Sequence, residues 1–277
     1  MAKIVRYRTP QGAAWGVVQG PGILRLAHPD GGSADDIDDL FERARARMNA
    51  PPGDEPAVAY SGAELLAPIA PAATIWCVGL NYRAHVAEAG RELPKQPSLF
   101  IRRSGSIVGQ GAALQWPEVS EQLDFEGELA LVIGRGGRFI ERADALAHVA
   151  AYTCFNDGSV RDFQKHSVTA GKNFEASGAC GPWLVSADEV GDPSDLGLVT
   201  RVNDVAMQAA RTSALIFPID ALIAYVSQFA ALRPGDLIAT GTPEGVGAGR
   251  TPPRWLKRGE EVVVEVERVG SLSNRVA

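Results

Sequence analysis

The chain has 277 residues, of which 45% are hydrophobic and 22% charged, enough for a sizeable core in one large domain or one domain with a small appendage. A formal net charge of −6 argues against nucleic acid as a partner, because phosphates demand a basic face. No run approaches the roughly 18 apolar residues of a membrane span, and MAKIVRYRTP lacks the features of a secretion signal, so a cytoplasmic protein without a membrane partner is expected.

Taken in chain order, Ile4–Tyr7, Trp15–Val18 and Ile23–Leu26 are short strand-like pieces separated by Gly and Pro turns. From Ser33 the period changes: Ile37, Leu40, Phe41, Ala44 and Met48 share one helical face, with Ser33 as N-cap and Asp35 and Asp36 near the positive end of the helix. Pro51–Pro56 is a polar breaker, and a boundary is expected between it and Pro71, giving a small N-terminal α+β domain (1–70) and a larger catalytic part (71–277). In the larger part Thr74–Leu80, Ser98–Ile101, Glu128–Ile133, Leu237–Thr240 and Glu261–Glu267 read as strands. Ala143–Ala150 and Asp220–Leu232 read as helices, the second with Leu222, Tyr225, Val226 and Phe229 as its apolar stripe. Strands outnumber helices, so the fold class expected is α+β, mostly β. Cys77, Cys154 and Cys180 are too few and too scattered for a disulfide framework or zinc ribbon, and a buried structural role is expected for each.

Asp124-Phe125-Glu126-Gly127-Glu128 opens the most informative segment. On a strand, Glu126 and Glu128 point the same way, followed on that face by Ala130 and Val132, while Phe125, Leu129, Leu131 and Ile133 face the opposite side. Two carboxylates a pleat apart either hold a hard divalent cation between them or protrude into solvent at the mouth of the strand. Asp157, at the turn after the apolar run Val149–Phe155, is either a third such carboxylate or a turn residue. Arg161 and Gln164 lie three apart on one helical face, suited to gripping a carboxylate. His85 and Glu88 are also three apart, a spacing that lets a carboxylate fix the imidazole tautomer of a general base. His28, His148 and His166 read as structural or solvated. Nucleotide loops, a dinucleotide fingerprint, a serine nucleophile elbow and a His-Glu-x-x-His zinc motif are all absent.

Five segments, GLNYRAHVAE, FEGELALVIG, NDGSVRDFQ, GKNF followed by GPW, and PGDLIATGTPEGVG, occur in an order that resembles the fumarylacetoacetate hydrolase family. The likeness runs from about Thr74 to the C-terminus. It implies a mixed β-roll catalytic domain, a homodimer, and Mg²⁺ or Mn²⁺ as cofactor. Glu126, Glu128 and Asp157 match the family's metal-binding carboxylates, and Lys172 a lysine that helps hold substrate or its anionic intermediate. Arg161, Gln164 and Thr242 match substrate-site positions, and His85 and Glu88 match a catalytic pair in members that cleave carbon–carbon bonds. Leu80 stands where some acylpyruvate-cleaving relatives carry arginine. The function expected is hydrolysis of a C–C bond in a small 2,4-dioxo acid. Decarboxylation or keto–enol tautomerisation of a 2-oxo-dicarboxylate is the alternative, and a non-catalytic metal-binding domain the remote one.

Overall fold

A computed structural model of the chain describes residues 1–26, 37–50, 58–70 and 72–277. Among these residues a large mixed sheet runs, edge to edge, through Val58–Ala59, Gly22–Arg25, Gly12–Gln19, Lys3–Thr9, Gly178–Ser186, Val149–Asn156, Gly127–Ile133, Leu237–Ala239, Ile75–Gly79 and Ser98–Arg102. Neighbours along this path are antiparallel except Leu237–Ala239 with Ile75–Gly79, which is parallel. A four-stranded antiparallel sheet is ordered Val205–Arg211, Gly197–Val202, Glu261–Val266, Gly270–Arg275. The fold is mostly β, as its sequence implies.

The strand Gly127–Ile133 is buried along its whole length, and its alternation divides two cores. Phe125, Leu129, Leu131 and Ile133 pack with Leu198, Val262, Val264 and Leu272 of the smaller sheet. Ala130 and Val132 face a second cluster that includes Ile37, Leu40, Phe41 and Ala44 of the helix Ile37–Asn49. Period two therefore assigns each side chain to the face expected. The proposed N-cap Ser33 with Asp35 and Asp36, and the breaker Pro51–Pro56 and Pro71, lie outside the described residues. The first strand does not close a sheet with the N-terminal strands alone: Lys3 pairs with Val185 and Ile4 with Leu184 in the large sheet.

Two differences from the sequence reading have physical causes. Ala143–Ala150 is no α-helix: Ala145–His148 forms a single 3₁₀ turn, and from Val149 the chain enters a strand paired on both sides. Alanine-rich propensity is a weak prior that sheet pairing overrides here. Gly178–Ser186, a central strand, escaped notice because Gly181 and Pro182 interrupt it. The register with Val149–Asn156 shifts between Tyr152 and Cys154, an irregularity that accommodates them. The helix Ile219–Phe229 begins and ends close to expectation, burying Leu222 and Val226 while Phe229 stays exposed.

Candidate active site

Glu126 immediately precedes the strand Gly127–Ile133, and its amide is held by the Asn156 side chain at 3.1 Å. Gly127 pairs with Asn156, and the Asp157 amide donates to the Glu126 carbonyl at 2.8 Å. This register sets Asp157 beside the two glutamates. One carboxylate oxygen from each of Glu126, Glu128 and Asp157 lies within 4.8 Å of the others, and all three side chains are buried. Burial rules out carboxylates protruding into solvent at the mouth of a strand.

Three cations surround them. Lys172, buried at the end of the helix Val168–Lys172, places Nζ 2.6 Å from both Glu126 Oε2 and Asp157 Oδ2. Arg161 donates from Nε to Asp124 Oδ2 at 2.8 Å and from Nη1 to Gln164 Oε1 at 2.9 Å. Its Nη2 is 2.6 Å from Glu126 Oε1 but lacks the alignment of a hydrogen bond. The third cation is Arg102, which the sequence reading missed. It ends an edge strand, is 2% exposed, and donates to Asp157 Oδ1 at 2.6 Å and to the Gly158 carbonyl, Ser106 and Ser177.

Glu128 is treated differently from its neighbours. Its one hydrogen bond among the described residues comes from the Gly241 amide to Oε2 at 2.8 Å, and no cationic side chain pairs with it. Burial and the nearby Asp157 and Glu126 push its carboxyl well above the ordinary range. Burial also pushes Glu126 up, but Lys172 and Arg161 outweigh it and hold that carboxyl down at about 2. With Asp124 included, four buried carboxylates face three cations, and the deficit falls on Glu128. A hard cation with oxygen ligands fits such a donor set.

The second part of the site is the short helix Arg83–Glu88. Just before it, buried Asn81 ties the segment down, donating to the carbonyls of Phe217 and Thr240 and accepting from the Phe217 amide. His85 Nδ1 lies 3.1 Å from Glu88 Oε2, and Glu88 Oε1 accepts from the Gly245 amide at 2.9 Å. Burial raises the Glu88 carboxyl, but the bonds from His85 and Gly245 prevail and keep it below its ordinary value.

The loop after the strand Leu237–Ala239 links all these groups. Its amides serve three carboxylates: Gly241 serves Glu128, Gly245 serves Glu88, and Gly247 and Ala248 serve Asp124. Thr242 lies in the same loop, but its hydroxyl is committed: it donates to the Gly127 carbonyl at 2.9 Å and accepts from Gln208 Nε2 at 2.8 Å. Gln208 also accepts from the Gly127 amide and donates to the Pro243 carbonyl, so it bridges the loop and the carboxylate strand. Nothing in the local sequence AMQAAR marks Gln208, whereas Arg102 shares the face of Phe100 by strand alternation and could have been found. His148 is structural, its Nδ1 2.6 Å from the Arg135 carbonyl, while His166 is exposed; His28 lies outside the described residues.

Comparison with known proteins comes to the same point. The model of the fumarylacetoacetate (FAA) hydrolase C-terminal family matches residues 74–277. The chain is 41% identical over 225 residues to the mitochondrial oxaloacetate tautomerase FAHD2A of Bos taurus, covering 80% of this chain and 72% of that protein. It is 37% identical over 286 residues to the oxaloacetate tautomerase FAHD2A of Homo sapiens, covering 99% and 91%. The crystal structure of 2-hydroxyhepta-2,4-diene-1,7-dioate isomerase from Mycobacterium marinum matches with a TM-score of 0.78 at 32% identity, covering 100% of this chain and 98% of that one.

Proposed function

The chain belongs to the fumarylacetoacetate hydrolase family, and on that premise we propose that it is a divalent-metal-dependent tautomerase interconverting the enol and keto forms of a small 2-oxo-dicarboxylic acid of the oxaloacetate type. The observation that carries the metal is Glu128, buried in a cluster of carboxylates without a cation of its own. Glu126, Glu128 and Asp157 would hold Mg²⁺ or Mn²⁺, which when bound supplies Lewis-acid polarisation of a substrate oxygen. The likeness to the oxaloacetate tautomerases of Bos taurus and Homo sapiens supports tautomerisation as the reaction.

The chain's own residues then divide the work. With Nδ1 directed at Glu88, His85 presents Nε2, which takes a proton from carbon 3 of the keto form and delivers it to the oxygen on carbon 2 as the enol forms, the reverse transfer restoring the keto form. Glu88 holds the imidazole in the tautomer this requires. Lys172 and Arg161 place positive charge where the substrate becomes more anionic. Nη2 of Arg161, ion-paired with Glu126, is the arm of the guanidinium that a substrate carboxylate would meet, with Gln164 holding the other arm.

One observation keeps hydrolysis of a 2,4-dioxo acid as a second reading: the same His85–Glu88 pair is equally suited to taking a proton from water. Product mass separates the two. Incubation with oxaloacetate, acetylpyruvate and fumarylpyruvate in the presence of Mn²⁺ is expected to speed the equilibration of enol- and keto-oxaloacetate at constant mass. Two fragments from an acylpyruvate, with no effect on oxaloacetate, would replace this reading with the hydrolase.

A further inference from the structure

Gly249 is an exposed residue closing the 3₁₀ turn Gly247–Gly249, and its backbone lies outside the left-handed region. Conformation gives no reason for glycine there. Space does: a methyl group built on Gly249 falls 2.5 Å from Glu88 Cγ and closer still to Cδ and Oε1. The Glu88 side chain therefore occupies the volume that any other residue at 249 would fill.

We propose that Gly249 is a positioning residue for the His85–Glu88 pair. Its missing side chain is the slot in which the Glu88 carboxylate stands, with one oxygen on the Gly245 amide and the other toward His85 Nδ1. The group in the way is the end of a flexible side chain, so a methyl at 249 displaces the carboxylate and leaves the fold intact. Displacement breaks the bond from Gly245, removes the carboxylate from His85 Nδ1 and frees the imidazole to turn. The metal carboxylates have other holds: Glu128 the Gly241 amide, and Glu126 and Asp157 the Lys172 ammonium. This proposal rests on the reading of His85 as the base.

The test is a double-mutant cycle of Gly249→Ala and Glu88→Ala, with His85→Ala as reference, followed by kcat for oxaloacetate tautomerisation and by calorimetric Mn²⁺ affinity. Gly249→Ala is expected to lower kcat about 10²-fold, the scale of a misplacement of about 1 Å, with Mn²⁺ affinity unchanged. In the Glu88→Ala background the same substitution is expected to have no further effect, because there is no carboxylate left to displace. An equal loss in both backgrounds means that the loop itself needs glycine and overturns the proposal. So does wild-type kcat in Gly249→Ala when His85→Ala and Glu88→Ala have lost theirs. Should Gly249→Ala melt below the wild type, the double variant is expected to melt with Glu88→Ala, and a double variant that melts below Glu88→Ala by the same amount overturns the proposal. Full turnover in His85→Ala removes the base assignment itself, and this proposal with it.

Discussion

Glu128 decides whether the buried cluster is a cation site or a closed network of ion pairs. Its neighbours have partners: Glu126 and Asp157 share Lys172, Asp157 has Arg102, and Asp124 has Arg161. A buried carboxylate lacking a cation is costly unless something else supplies the charge. Glu128→Gln should therefore stabilise the metal-free protein, by on the order of 1 kcal/mol, while abolishing the stabilisation that Mn²⁺ gives the wild type, as read by melting with and without metal. If Gln at 128 leaves the Mn²⁺ effect intact, the metal site is misplaced. His85→Ala should act the other way, lowering turnover about 10²- to 10⁴-fold with metal affinity unchanged in calorimetry. Glu126 and Glu128 were legible in the sequence because i and i+2 on a strand share a face. Asp157 and Lys172 were not, beyond the family likeness, because their approach depends on the register of separate elements. Gln208 was invisible for the same reason, as was its bond to the hydroxyl of Thr242, which the family likeness places at the substrate.

At the scale of elements, the strand Gly127–Ile133 carries the site on one end and separates two cores along its length. Leu131 is fully buried in the core shared with the smaller sheet, and Leu131→Ala should cost about 2–5 kcal/mol in denaturant unfolding with little change in metal affinity. The three cysteines lie on neighbouring or nearby strands of the large sheet, free and buried. Burial pushes the Cys154 thiol up to about 12 from its ordinary 9.0. The unfolded chain thus releases this proton from about pH 9, whereas the folded chain keeps it until about pH 12. Fewer protons are bound by the unfolded state in that window, so stability falls as pH rises through it. Native protein at about pH 8, below the ordinary thiol range, should resist a thiol reagent that labels the unfolded chain quickly, and rapid labelling in native conditions would contradict the burial. Amphipathic elements such as Ile37–Asn49 and Ile219–Phe229 could be read from their period, whereas Gly178–Ser186, broken by Gly181 and Pro182, could be assigned only by its partners.

At the scale of the molecule, an apolar surface remains beside the edge strand Ser98–Arg102. Ile101, opposite Trp76 in the register, is exposed, as is Phe229, whose ring is 5.8 Å from Trp76 and 5.9 Å from Tyr225. Phe139, also exposed, lines a cavity with Tyr225. We propose that this surface is where a homodimer forms. Light scattering should give twice the chain mass for the wild type and the chain mass for Phe229→Glu, and a monomeric wild type would refute the assignment. The central claim is a metal-dependent change of tautomer without bond cleavage. Its most direct test follows the decay of enol-oxaloacetate by ultraviolet absorbance, with mass spectrometry of the product, using chelator-treated protein before and after Mg²⁺ or Mn²⁺ is restored. No acceleration without metal, and acceleration with metal at unchanged mass, is the result expected. Equal rates in both conditions, or loss of carbon dioxide as the main event, would contradict it.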